Sequence, residues 1–117
     1  MTDKNNNPKF IIEDDTSEII KEDLVNQLAS RDLDHVSFYV SLVDDYVSMW
    51  NVKNNLIRDI EERGVSVRYD NGGGQHGYKK NDSVGELTRL NRQMLSLLSE
   101  LGLRAADIEE KEEEVTL

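Results

Sequence analysis

DHVSFYVSLVDDYVSMWNVKNNLIRDIEER, residues 34–63, decides the fold. Its apolar and aromatic residues recur in sevens: Val36, Val43, Trp50 and Ile57 form one column, with Tyr39, Tyr46, Lys53 and Ile60 three residues after each. That is the spacing of a long amphipathic helix, and no Pro or Gly interrupts it. Asp32 or Asp34 is placed to cap the first turn, and Gly64 stands where a left-handed residue ends a helix. Arg63 just before it suits the negative end of the helix dipole. At about 1.5 Å per residue the helix is a rod of roughly 45 Å, longer than a compact domain of this size can surround. It therefore has to pack along a partner helix.

The partner lies at Ser83–Leu101, with apolar positions Val84, Leu87, Leu90, Met94, Leu95, Leu97, Leu98 and Leu101. Asp82 or Ser83 can cap it, Glu86 can complete a capping box with Ser83, and Gly102 ends it. Folded back antiparallel, it pairs Ile60 with Val84, Ile57 with Leu87, Trp50 with Met94, Tyr46 with Leu98 and Val43 with Leu101. Every one of these layers is apolar or aromatic. The same register sets Lys53 and Asn54 against Asn91 and Leu90, a polar layer able to fix register or oligomer choice, unless Lys53 simply reaches solvent.

Ahead of the long helix a shorter one is expected from Asp15 or Thr16 to about Ser30, its inner face Ile20, Leu24, Val25 and Leu28. Residues 1–14, rich in Asn and charge, read as a flexible arm. Between the two long helices, VSVRY alternates as a short extended segment leading into the Asn71–Gly74 turn. Alone it is too short to found a sheet, so this Gly-rich stretch reads as a flexible connector. Its glycines lack the Gly-Lys-Ser/Thr of a phosphate loop, and QHGYKK, residues 75–80, joins an aromatic ring to two lysines, a composition suited to a phosphate backbone. After Arg104 the chain is an acidic tail, helix-forming in composition but with acids at the wrong end of the dipole.

The net charge is −10. Residues 1–50 carry 4 basic and 11 acidic side chains, residues 51–92 carry 8 and 6, and residues 93–117 carry 2 and 7. A chain this acidic is unsuited to coating nucleic acid at large, so any DNA contact has to be local and repeated by an oligomer. The candidates by charge are Lys53, Arg58, Arg63, Arg68, Lys79, Lys80, Arg89 and Arg92. With 37% hydrophobic and 32% charged residues the core is modest, and burial between subunits is its natural completion. Phe38, Val40, Val47, Leu95 and Leu97, which a two-helix seam cannot all cover, and the polar-layer residue Asn91 are the expected oligomerisation residues.

Catalytic chemistry is missing from the pattern. His35 and His76 stand in unrelated settings, with no HxxxH or HExxH spacing. Asp14–Asp15 and Asp44–Asp45 are neighbours that point about 100° apart on a helix. There is no Cys, no GxSxG and no Walker motif, so neither an enzyme nor a bound metal or cofactor is expected. MTDKNNNPKF has no apolar signal region and no stretch of 18 apolar residues occurs, which argues against export and against a membrane partner.

GYKKNDSVGELTRLNRQMLSLLSELGL, residues 77–103, and LVDDYVSMWNVKNNLIRDIEERG, residues 42–64, resemble the small terminase subunits of tailed bacteriophages and prophages of Gram-positive bacteria. The likeness lies in the tyrosine-bearing long helix (Tyr46), its apolar-Xaa-Xaa-Arg-Gly end (Ile60–Gly64), the glycines Gly72–Gly74, and the Leu-Gly-Leu turn, Leu101–Leu103. Two departures stand out: Asn81–Asp82 and Arg104–Ala105 replace a His-Pro and a Thr-Pro of many relatives. The resemblance implies a ring-forming homo-oligomer in the host bacterial cytoplasm that recognises the packaging start on double-stranded phage DNA. It also implies recruitment and regulation of the large terminase subunit, which does the catalysis. The expectation is thus an all-α fold: a long antiparallel helical hairpin within a domain spanning residues 15–103, preceded by a shorter helix. A protein-only coiled-coil scaffold or adaptor without DNA binding is the competing reading.

Overall fold

The computed structural model describes residues 15–104; the N-terminal arm and the acidic tail beyond Arg104 lie outside them. Three helices, α1 (Asp15–Ala29), α2 (Ser37–Arg63) and α3 (Asp82–Glu100), are joined by a turn and by two strands, β1 (Ser66–Gly72) and β2 (Gln75–Lys80). α1 and α3 both pack on α2.

Nine residues on from its first valine, the supposed flexible connector folds back on itself, and β1 and β2 form an antiparallel two-stranded sheet. The fold is mainly helical but neither all-α nor a plain helical hairpin: three helices are accompanied by a two-stranded antiparallel sheet that connects α2 to α3. Gly73 and Gly74, φ 58° and 82°, supply the two positive φ angles that a two-residue type I′ turn requires. QHGYKK is therefore the strand that VSVRY lacked.

Leu24, Leu28, Val43, Tyr46, Met94, Leu101 and Leu103 are buried together, which places the core where α1 and the C-terminal half of α3 meet the first half of α2. At the other end of α1, the Trp50 indole Nε1–H donates to the Thr16 hydroxyl at 3.1 Å. α1 and α3 end in the same way. Leu33 N–H reaches Leu28 O and Asp32 N–H reaches Ala29 O, while Leu103 N–H reaches Leu98 O and Gly102 N–H reaches Ser99 O; these are the paired bonds of a Schellman turn. Gly102 takes the left-handed position in the second, and Asp32 (φ 58°) in the first, a conformation Asp tolerates better than most residues. Arg31 links the two turns by donating from Nη2 to Leu101 O at 2.5 Å.

Asp32 is thereby drawn into the turn, and α2 begins later than its periodicity suggests. Its N-cap is Val36, which makes no side-chain cap, so neither Asp32 nor Asp34 caps it. α3 is capped by Asn81 rather than Asp82 or Ser83, and Glu86 pairs with Arg89 instead of closing a capping box. The end of α2 and the start of α3 are joined directly, Arg63 donating to Asn81 and the Ser83 hydroxyl donating to Asp59.

Candidate nucleic-acid interface

Cross-strand pairing sorts the hairpin into two faces, because partners in an antiparallel ladder share a face and neighbours alternate. Ser66 pairs with Lys80, Arg68 with Tyr78 and Asp70 with His76 on one face; Val67 pairs with Lys79 and Tyr69 with Gly77 on the other. The faces are not equivalent. All six residues of the first are exposed, and Tyr78 is 73% exposed. The second contains the hairpin's two half-buried positions, Val67 and Gly77. Tyr69 lies so close over Gly77 that a Cβ there would come within 2.8 Å of the phenol oxygen, an aromatic ring covering a strand glycine. The tip is shaped by a bulge between Asp70 and Gly72, with Gly72 N–H donating to Asp70 Oδ1 at 2.8 Å.

The root of the hairpin is a polar cluster. Asn81 is fully buried. Its Oδ1 accepts from Ser83 N–H at 3.0 Å and from Arg63 Nη2 at 3.2 Å, and its Nδ2 donates to Gly64 O at 2.9 Å and Asp59 Oδ2 at 3.1 Å. Its own backbone N–H donates to Val65 O at 2.8 Å. Asp59 accepts both Arg63 Nε, at 2.6 Å, and Arg63 Nη2, at 2.9 Å, in addition to the Ser83 hydroxyl at 2.7 Å. The Arg63 hydrogen bonds first, then the Ser83 hydroxyl, hold the Asp59 carboxyl well below the usual carboxylate range. The same pairing raises the Arg63 guanidinium. The end of α2, both roots of the hairpin and the start of α3 are therefore tied at one point.

The cations picked out by charge separate into distinct roles. Arg68, Lys79 and Lys80 gather on the hairpin, all exposed, with Asp70 as the acid among them. Arg63 belongs to the cluster at its root. Lys53 is half-buried, its Nζ 5.7 Å from the centre of the Trp50 ring, a cation–π geometry rather than a pure snorkel or a clear polar layer. Arg58 is half-buried and is not a free cation. Arg89 is paired with Glu86, and Arg92 is exposed on α3. Of the expected oligomerisation residues, Phe38 and Leu95 are 60% and 67% exposed and Val40 is also exposed. Asn91 is half-buried, and Val47 and Leu97 pack against the core. Asp32, Asp34 and His35 bring ligand atoms within 4.8 Å of one another on the α1–α2 turn, but all three are exposed, as acidic surface groups commonly are.

What sequence reasoning missed is Asn81. The signal was a run of three good caps, Asn81, Asp82 and Ser83, and the choice among them rests on Asp59 and Gly64, far away in sequence. Among the described residues no helix is long and apolar enough to cross a membrane. In comparisons with known proteins, the sequence model of one family, described as phage terminase, small subunit, matches residues 20–114, well over half of the chain. No curated protein and no solved structure matches.

Proposed function

The chain belongs to the phage terminase small subunits, so its work lies in phage DNA packaging, and we propose that it does this work as a homo-oligomer engaging the genome through the β-hairpin. In this reading it acts in the host bacterial cytoplasm, marks the packaging start on double-stranded DNA, and recruits and regulates the large terminase subunit. It performs no catalysis of its own.

The observation that carries the DNA-engaging part is the hairpin. It projects Arg68, Lys79 and Lys80 together from an acidic protein, where the helix-borne cations are paired, half-buried or scattered. One copy offers a weak contact. Several copies held in one assembly add such contacts by avidity while the acidic surfaces face elsewhere. The same geometry argues against the protein-only scaffold, for which a basic projecting ribbon has no use.

The test is binding of the intact protein to duplex DNA, with a packaging-site fragment included, across about 50 to 200 mM salt. Affinity is expected to fall steeply, and Lys79→Ala with Lys80→Ala to flatten the log–log slope by roughly one unit per lost phosphate contact. No binding at low salt favours the scaffold. Unchanged binding by the double variant moves the DNA surface off the hairpin.

A further inference from the structure

We infer that the open face of the hairpin, with Arg68, Tyr78, Lys80 and His76, is laid into the major groove of duplex DNA, so that the ribbon reads base edges rather than only neutralising phosphates. This assignment rests on the DNA-engaging reading above and specifies how the contact is made.

Three observations support it. The first is the asymmetry of the ribbon. One face is occupied by the Tyr69–Gly77 packing and the half-buried Val67, whereas on the other every residue is open to solvent. The second is composition. Arg68 and Tyr78 face each other across the strands, flanked by the Ser66–Lys80 and Asp70–His76 pairs. This gives a compact set of hydrogen-bonding side chains around an aromatic ring, where a surface for phosphates alone would need only cations. Arg is the commonest partner of guanine O6 and N7, and Tyr and His add polar and aromatic surface.

The third observation is shape. Strands of seven and six residues at about 3.3 Å per residue give a ribbon of roughly 20 Å, and the B-form major groove, about 12 Å wide, admits a two-stranded ribbon. The root cluster of Asp59, Arg63, Asn81 and Ser83 fixes the ribbon to two helices at once, so the face is presented at a set angle. Lys79, on the opposite face, is left to meet a flanking phosphate.

A-form RNA offers the same phosphates but a major groove too deep and narrow for side chains to read. The intact protein is therefore titrated with matched DNA and RNA duplexes at one salt concentration, and the DNA complex is challenged with methyl green, which occupies the major groove. The expected result is at least about tenfold preference for DNA, the scale of one good base contact, with displacement by methyl green. Arg68→Ala and Tyr78→Ala are expected to reduce that preference, while Lys79→Ala weakens DNA and RNA binding by a common factor. Equal binding of DNA and RNA duplexes by the wild type, or no displacement by methyl green, overturns the groove assignment and leaves DNA binding standing. Absence of binding to either duplex overturns the reading beneath it. The wild-type measurements decide the matter even where a hairpin variant misfolds.

Discussion

Asn81 does more than an ordinary cap, and that difference is measurable. At a simple N-cap, Asp and Asn are near equivalents. Here Nδ2 donates to Gly64 O and to Asp59, so Asn81→Asp would remove both donors and set a second carboxylate beside Asp59. Asn81→Ala loses the cap, worth about 1 kcal/mol, and strands the half-buried Gly64 carbonyl and Asp59 at up to about 1–3 kcal/mol, so a loss of roughly 2–4 kcal/mol at most is expected in denaturant unfolding. Asn81→Asp is expected to be destabilising as well, which a cap-only role would not produce. Asp59 adds a pH dependence. Its carboxyl sits below its ordinary value of 3.8 in the folded protein, so the folded state holds that proton less tightly than the unfolded chain. The stabilisation is complete above about pH 4 and is lost as pH falls through the depressed folded value. Thermal melts between pH 7 and pH 2.5 are expected to drop less steeply for Asp59→Asn, from a lower starting point, than for the wild type.

Among the elements, the helices were legible and the hairpin was not. The period of the apolar residues located α2 and α3 to within a few residues, because burial of one stripe leaves few alternatives. β2 escaped because Gln75–Lys80 contains His, Gly and two Lys, poor strand formers whose conformation comes from pairing with β1. The three glycines looked like slack, whereas two of them supply a specific turn. The lysines of the candidate site were legible as charge, but their faces follow from a register that only the pairing sets. Since Asn81 N–H bonds Val65 O outside the strands, the root can close without the ribbon. Replacing residues 66–80 by a short Gly-rich link is therefore expected to leave helical circular dichroism nearly unchanged and to abolish duplex binding. Collapse of the helical signal would mean that the ribbon supports α2 and α3 rather than projecting from them.

At the scale of the whole molecule, the small core leaves Phe38 and Leu95 exposed on α2 and α3, and a homo-oligomer is the proposed cover. Light scattering at tens of micromolar, on the order of cellular concentrations for an assembly protein, is expected to give several subunits. Phe38→Ser and Leu95→Ser are expected to shift the mass downward with little loss of helix, and a clean wild-type monomer would remove the oligomer from the proposal. The bond from Arg31 to Leu101 has a consequence of another kind. The main packing pairs join α1 to α2, β1 to β2 and α2 to α3, each a neighbour of the next along the chain or across one short hairpin. Chains built from such near contacts cross their folding barrier quickly, on the microsecond-to-millisecond scale of helical bundles. Arg31 instead spans 70 residues. Such a contact is expected to close late, so Arg31→Ala should speed unfolding in stopped-flow denaturant jumps and leave the refolding rate nearly unchanged.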